Sequence, residues 1–162
     1  MSKLIVRPAR RSDYRALEKI IRDSFDYWDQ RWALEGLRYT YVIVAELRGD
    51  VVGFAELYSA YVARLGGVGV IYYLAVLSGY RRMGVGSALV KAAEDIFAKW
   101  GLEYSAASTR LENVASRGLF LKLGYREIPA FKAYDLVHAL YAYEDDVIFL
   151  KPLKGREPGD RA

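Results

Sequence analysis

The stretch Ser78-Gly79-Tyr80-Arg81-Arg82-Met83-Gly84-Val85-Gly86 lies between an apolar run, Val70 to Leu77, and an amphipathic pattern of helical period. The apolar positions of that predicted helix are Val85, Leu89, Ala92, Ala93, Ile96, Phe97 and Trp100. Glycines at a turn from strand to helix let backbone N–H groups approach an anion closely, and the helix N-terminus adds partial positive charge. With Arg81 and Arg82 beside them, Gly84 and Gly86 predict a phosphate or pyrophosphate cradle. The alternative is a glycine-rich turn with exposed arginines.

Two common phosphate-binding motifs do not fit this stretch. No Gly-Lys-Ser or Gly-Lys-Thr follows the glycines, so the stretch is not a P-loop. The third glycine of a dinucleotide-binding fingerprint is also absent, and Leu89 stands there instead. The cradle therefore has to be interpreted from its position between strand and helix.

The residues before the cradle predict two helices and three strands. Leu4 to Val6 is a first strand, and Ser12 can cap the helix that follows. A second short helix lies within Asp26 to Leu37 and ends near Gly36. Arg48-Gly49-Asp50 has hairpin length between two strand patterns, and the apolar run before the cradle is a central strand.

The residues after the cradle predict strands alternating with helices. Gly101 ends the long helix, Asn113 can cap a later one, and Gly124 stops it. The stretch from Ala130 to Tyr143 is either a short helix or an ordered loop. The predicted order is β-α-α-β-β-β-α-β-α-β-β, which is typical of one α/β or α+β domain with a mixed sheet. We expect the domain to cover residues 1–153 and a flexible tail to cover 154–162.

Composition excludes several classes of function. The chain has 162 residues, of which 53% are hydrophobic and none is cysteine, so it is long enough for one packed domain and has no disulfides or cysteine-ligated metal. A single histidine, His138, leaves little for a histidine-based triad or metal site, and we expect no metal. The net charge of +4 is modest and the arginines are dispersed, so we expect no nucleic-acid partner. No apolar run is long enough to span a membrane, and we expect a cytoplasmic protein.

Two blocks of the sequence resemble the GNAT superfamily of acetyl-CoA-dependent N-acetyltransferases. The blocks are Tyr73-Leu74-Ala75-Val76 continued by Tyr80 to Leu89, and Asn113 to Tyr125. The element order is similar from Leu4 to Leu153. The resemblance implies a mostly antiparallel mixed sheet of about seven strands flanked by about four helices and splayed at the fourth and fifth strands.

The resemblance also implies a site for acetyl-CoA, the co-substrate. The loop would wrap the pyrophosphate of coenzyme A through Arg81, Arg82, Met83, Gly84, Val85, Gly86 and Ser87. The strand residues Leu74, Ala75 and Val76 would hydrogen-bond the pantetheine arm, with a backbone amide near Val76 polarising the thioester carbonyl. Asn113 would contact the cofactor arm, unless it is a helix cap only, and Phe120 would pack against the cofactor or the acceptor.

The residues for proton transfer depart from those of the relatives. Phe120 stands where many members have a tyrosine that protonates the leaving thiolate, and Ser108 and Val70 stand where others have a glutamate base. The catalytic candidates are Glu56 on the third strand and Tyr72 and Tyr73 on the fourth. Glu56 could instead face solvent, and the tyrosines could be core packing.

The acceptor side is rich in aromatic residues: Phe25, Tyr27, Trp28, Trp32, Tyr39, Phe131, Tyr134 and Tyr141. They could line a pocket for an apolar or aromatic amine, or they could be core or a homodimer face. We therefore expect an enzyme that transfers an acetyl group from acetyl-CoA to a primary amine of a small molecule or protein. The alternatives are a non-catalytic coenzyme A-binding regulatory module and, less favoured, a basic nucleic-acid-binding domain.

Overall fold

The structure is a computed structural model, and it describes residues 3–153. Seven strands and five α-helices follow one another along these residues: β1 (Leu4–Pro8), α1 (Tyr14–Ser24), α2 (Tyr27–Tyr39), β2 (Tyr41–Leu47), β3 (Asp50–Val62), β4 (Gly66–Val76), α3 (Val85–Lys99), β5 (Tyr104–Thr109), α4 (Val114–Lys122), β6 (Arg126–Pro129), α5 (Tyr134–Leu140) and β7 (Val147–Pro152). The predicted order of elements is confirmed with one addition: the stretch 130–143, left open between a short helix and a loop, contains α5, so there are five helices where about four were expected. The predicted tail at 154–162 lies outside the described residues. None of the described helices has the length and apolar character needed to cross a membrane.

The strands form one mixed sheet in the order β1-β2-β3-β4-β5-β7-β6. The pair β4–β5 is parallel, whereas β1–β2, β2–β3, β5–β7 and β6–β7 are antiparallel. Pairing of β4 with β5 covers Val68–Val70 and Tyr104–Ala106. Beyond these residues β4 continues to Val76 and β5 to Thr109, so the predicted splay of the fourth and fifth strands is confirmed.

The chain divides into two compact units, and β3 and β4 each contribute residues to both. The first unit contains the described residues up to Tyr58 together with Tyr73–Ala93. Its apolar core joins α1, α2 and the sheet through buried side chains: Leu17, Ile20, Ile21, Ala33, Leu37, Val42, Val44, Phe54 and Ala75. This core fixes α2 over one face of the sheet.

The start of α1 differs from the prediction. Ser12 lies in a short 3₁₀ turn, Arg11–Asp13, and Asp13 rather than Ser12 immediately precedes α1. The Asp13 carboxylate accepts a hydrogen bond from the Arg10 N–H and two from Arg7. Charge-assisted bonds of this kind are stronger than those of a serine hydroxyl, which explains why the aspartate organises the turn.

The end of α2 also differs from the prediction. The helix runs on to Tyr39, and Gly36 lies inside it as a buried residue. The Asp26 carboxylate caps the start of α2 by accepting from the Asp29 N–H. The predicted hairpin is confirmed and is tighter than expected, because Arg48 and Gly49 have positive φ and Leu47 pairs directly with Asp50.

The second unit contains Ser59–Tyr72 and the described residues from Glu94 onward. Its largest buried side chains include Phe97, Leu136, Ile148 and Phe149. Phe97 packs so closely on Gly69 that a Cβ there would overlap the ring, which explains a glycine in the middle of β4. Gly101 and Gly124 have positive φ just after α3 and α4, as predicted for helix-ending glycines.

Candidate active site

The predicted phosphate cradle forms a sharp connection from β4 to α3 within the first unit. A short 3₁₀ turn, Ser78–Tyr80, follows β4, and α3 begins at Val85. Arg82 (φ 65°) and Gly84 (φ 82°) both have left-handed backbone. A left-handed backbone favours glycine, so Gly84 is the residue that permits the turn into the helix.

Backbone donors at the start of α3 are available to an anion. The first helical hydrogen bond runs from the Ala88 N–H to the Gly84 carbonyl (3.0 Å). The N–H groups of Val85, Gly86 and Ser87 therefore have no partner within the helix, since the first N–H groups of any α-helix lack one. Three such groups at the positive end of a helix of fifteen residues form a site suited to phosphate oxygens.

The two arginines of the loop have different surroundings. Arg81 Nε donates to the Val76 carbonyl (3.0 Å), so this side chain folds back on the end of β4. Arg82 and Met83 are exposed. Arg81 thus holds the loop to the end of β4.

Gly53 on β3 is a positioning residue that the sequence analysis missed. A Cβ at Gly53 would lie 3.1 Å from the Ala75 carbonyl oxygen, 3.1 Å from a Val85 methyl and 3.2 Å from a Leu89 methyl. The absence of a side chain lets the start of α3 pack directly on β3, next to Ala75 near the end of β4. A glycine between buried strand residues is the signal that could have indicated such an approach.

Glu56, a catalytic candidate, lies beneath α2. It is fully buried, and neither of its carboxyl oxygens has a hydrogen-bond partner among the described residues. A Cβ on Gly36 would overlap the carboxyl group. Removal from water raises the pKa of Glu56 to about 9, so the group is protonated at neutral pH. The alternative that Glu56 faces solvent is wrong.

Tyr73, a second candidate, reaches α2 through its hydroxyl group. Tyr73 Oη donates to Asp29 Oδ1 (2.9 Å), and its ring meets Phe25 edge to face at a centroid distance of 5.2 Å. Asp29 was not among the catalytic candidates of the sequence analysis. The Tyr73–Asp29 contact joins positions 44 residues apart in the sequence.

Tyr72, the third candidate, belongs to the second unit. Its ring lies edge to face with that of Tyr141 at 6.5 Å. Ser108, the position at which the family resemblance implied a glutamate base in other members, donates to Asp145 Oδ2 (2.6 Å). A carboxylate is therefore present beside Ser108, although another part of the chain supplies it.

Asn113 and Phe120 also lie in the second unit. Asn113 Oδ1 accepts from the Ser116 N–H (3.1 Å), so its role as a helix cap is confirmed, while its contact with the cofactor remains a prediction. Phe120 is buried, with its ring stacked on Phe149 at 5.2 Å and edge to face with Tyr125 at 5.1 Å. Its contact with cofactor or acceptor also remains a prediction.

A buried polar network near Phe120 was not predicted. Tyr125 Oη donates to Glu94 Oε2 (2.8 Å) and is hydrogen-bonded to Ser105 Oγ (2.7 Å). Lys151 Nζ donates to both oxygens of Glu94 at 3.1 and 3.2 Å. Burial raises the pKa of the Tyr125 phenol above its usual range. The phenol is thus a structural hydrogen-bonding group, and sequence spacing carried no signal of it.

The aromatic residues assigned to the acceptor side are at the surface. Seven of the eight are exposed: Tyr27, Trp28, Trp32, Tyr39, Phe131, Tyr134 and Tyr141. Phe25 is half-buried. The alternative that they form the core is therefore wrong for these seven, whereas Phe25 packs against the core of the first unit. His138, also exposed, is hydrogen-bonded through Nδ1 to Tyr143 Oη (2.9 Å).

The glycine turn, the free N–H groups of α3 and the splayed parallel pair agree with a family assignment. Residues 6–125 match the model of the acetyltransferase (GNAT) family. The chain belongs to the GNAT acetyltransferase family. The family match includes β4, the cradle and α3, so the site described above is part of the shared domain.

Relatives of known sequence support this assignment. The chain is 36% identical to a probable N-acetyltransferase (HLS1-like) of Arabidopsis thaliana over 70% of its own length and 25% of that protein. It is 25% identical to an uncharacterized N-acetyltransferase of Bacillus subtilis (strain 168) over 81% of its own length and 95% of that protein. It thus spans a quarter of the first relative and nearly all of the second.

A solved GNAT structure shares the fold. The diaminobutyrate acetyltransferase of Paenibacillus lautus superposes with a TM-score of 0.69 at 21% identity, covering 98% of this chain and all of that one. That structure holds its substrate L-2,4-diaminobutyric acid and coenzyme A. At this identity the likeness shows the common fold of the family.

Proposed function

We propose that this GNAT protein is an N-acetyltransferase that uses acetyl-CoA to acetylate a primary amine. The observation that carries the proposal is the β4–α3 connection, where Gly84 turns the chain and α3 presents free N–H groups. Val85, Gly86 and Ser87 would hold the pyrophosphate through these groups, and Arg82 would add positive charge. Leu74, Ala75 and Val76 would lie along the pantetheine arm.

Acetyl-CoA would supply a thioester. The carbonyl carbon of the thioester would form a bond to the amine nitrogen while the C–S bond breaks, and the thiol would leave with one proton. The task of this chain is to orient the two reactants and to remove the remaining proton from the ammonium. A neutral, sealed Glu56 cannot accept that proton in this arrangement. Tyr73 and Tyr72 remain the candidates for the base. Phe120 cannot donate a proton to the leaving group, but a free thiol has a pKa of about 8.5, so the thiolate is a tolerable leaving group without an acid.

A second candidate function is a coenzyme A-binding module without turnover. The sealed position of Glu56 and the burial of Phe120 among aromatic rings favour it. Both functions need the cradle, and they differ in whether an amine is consumed. The acceptors of relatives, such as diaminobutyrate for the Paenibacillus enzyme, indicate that small amines are the first class to try.

The first experiment is thermal unfolding with acetyl-CoA and with coenzyme A. Ligand at about 100 times its dissociation constant adds about 2.7 kcal/mol to the free energy of unfolding. We expect a clear upward shift with both compounds, followed by amine-dependent thiol release. Stabilisation without release from any amine would favour the binding module. No stabilisation at millimolar ligand would reject both functions.

A further inference from the structure

We propose that the Asp29 carboxylate and the Tyr73 hydroxyl form a binding subsite for the ammonium group of an acceptor amine that carries an apolar or aromatic body. The inference rests on the proposed function and specifies its acceptor. It begins from the 2.9 Å hydrogen bond between Tyr73 Oη and Asp29 Oδ1, which joins the end of the sheet to the first turn of α2.

The charge of Asp29 is not neutralised by the protein. Within residues 3–153, no lysine or arginine forms an ion pair with Asp29, although this carboxylate is half-buried. Tyr73 engages Oδ1, which leaves Oδ2 available to a ligand. A partly desolvated anion with one neutral donor gains most from a cationic partner, because charge-assisted hydrogen bonds are the stronger ones.

The neighbouring rings indicate what the cation should carry. The Phe25 ring meets Tyr73 edge to face, and the two residues before Asp29, Tyr27 and Trp28, meet each other edge to face at 5.1 Å. Aromatic faces attract organic cations and bury their hydrocarbon parts. A carboxylate whose hydroxyl donor, Tyr73, lies against an aromatic ring therefore fits an organic ammonium better than a hydrated metal ion.

The position of Tyr73 suits delivery of the amine to the thioester. Tyr73 directly precedes Leu74, the first residue predicted to follow the pantetheine arm, and Val76 lies about 10 Å further along the strand. Glu56 touches α2 at Gly36, seven residues and therefore about 10 Å from Asp29 along the helix axis. The ammonium subsite is thus distinct from the buried carboxyl group of Glu56.

The test measures amine binding to the full chain saturated with coenzyme A, which prevents turnover. The probes are 2-phenylethylamine, ethylamine and the neutral 2-phenylethanol. We expect 2-phenylethylamine to bind more tightly than the other two. Asp29→Asn should weaken its binding roughly tenfold or more, since it removes a charged hydrogen-bond acceptor while keeping the shape.

Three variants separate binding from structure. Asp23→Asn removes one negative charge from exposed surface at the end of α1 and should leave the amine affinity unchanged. Asp29→Glu keeps the charge and should retain more affinity than Asp29→Asn. Tyr73→Phe should weaken amine binding but keep the coenzyme A dissociation constant.

Either of two outcomes overturns the subsite. One is an Asp29→Asn protein that binds 2-phenylethylamine as tightly as the original chain. The other is an original chain that binds coenzyme A but prefers neither amine to the alcohol. In both cases coenzyme A binding persists, so the proposed function stands. Loss of coenzyme A binding in the original chain would instead reject the proposed function.

Discussion

The Glu56 carboxyl group fills the space that a side chain at position 36 would need. A Cβ built on Gly36 would overlap Glu56 Oε1 and lie 2.9 Å from Glu56 Cδ. Because both residues are buried, neither can move into solvent to relieve the overlap. Glycine at position 36 therefore lets α2 close over an uncharged carboxyl group.

Gly36→Ala should destabilise the protein by about 1–3 kcal/mol, since it overpacks the contact with Glu56. In a Glu56→Ala background the same change should stabilise by about 1 kcal/mol, because alanine is the better helix former. Urea unfolding of the four proteins measures the coupling. Gly118→Ala is the matched control, as Gly118 is a helical glycine with open space around it, and it should gain about 1 kcal/mol. A gain of that size from Gly36→Ala alone would contradict the packing account.

Glu56 should make stability fall with rising pH. The folded-state pKa of about 9 lies above the ordinary value of 4.5, so the folded chain holds a proton that the unfolded chain releases. The stabilising contribution is complete below pH 4.5 and is lost progressively up to about pH 9. Across that window the original chain should lose about 1.4 kcal/mol per pH unit relative to Glu56→Gln.

The measurement is the difference in unfolding free energy between the two proteins from pH 4 to pH 9. Other titrating groups are shared and cancel in that difference. Parallel stability curves would mean that Glu56 is hydrated or ionised in the folded protein.

Gly84→Leu should abolish most coenzyme A binding at a modest cost in stability. Its φ of 82° lies where a side chain is strained, by about 1–2 kcal/mol, and the distortion falls on the donors of α3. Gly101→Leu is matched to it, with a φ of 78° and open space at the other end of the same helix. Calorimetric titration with coenzyme A should show at least a tenfold loss for Gly84→Leu only. Equal affinities in the two variants would reject the cradle.

Phe120→Tyr should lower stability by about 1–3 kcal/mol, because it places a hydroxyl among the Tyr125 and Phe149 rings without a prepared partner. Phe131→Tyr, at an exposed position, should change stability by less than about 0.5 kcal/mol. Unfolding curves and the rate of thiol release are measured together. Unchanged stability with faster release would show that the new hydroxyl reaches the reacting thioester.

The local signals of the sequence predicted the fold well. The turn from strand to helix at Gly84, the Asn113 cap and the glycines after α3 and α4 depend on neighbouring residues and were correctly predicted, while the binding of phosphate by Gly84 and Gly86 remains a prediction. Gly36 was misread as a helix end because its reason, the carboxyl group of Glu56, comes from another strand. That a glycine is needed because another side chain occupies the space of its Cβ can be recognised only when that neighbouring side chain is known.

The proton-handling residues were harder to predict. Val52, Phe54 and Glu56 point to one face of β3 and Gly53, Ala55 and Leu57 to the other, and all six are buried. Alternation of apolar and polar residues therefore could not tell whether Glu56 faced water. The Tyr73–Asp29 contact depends on how α2 packs on the sheet, which no spacing along the chain encodes.

The surface position of the tryptophans determines which events the intrinsic fluorescence of this protein can report. Two of the three lie on α2, Trp28 at 61% and Trp32 at 51% exposure, and the third, Trp100, is 41% exposed. An indole already in contact with water changes its emission less on unfolding than a buried one, so the two tryptophans of α2 report unfolding weakly. The same property lets tryptophan emission report on α2, because a molecule that covers Trp28 or Trp32 would change the contact of an exposed indole with water.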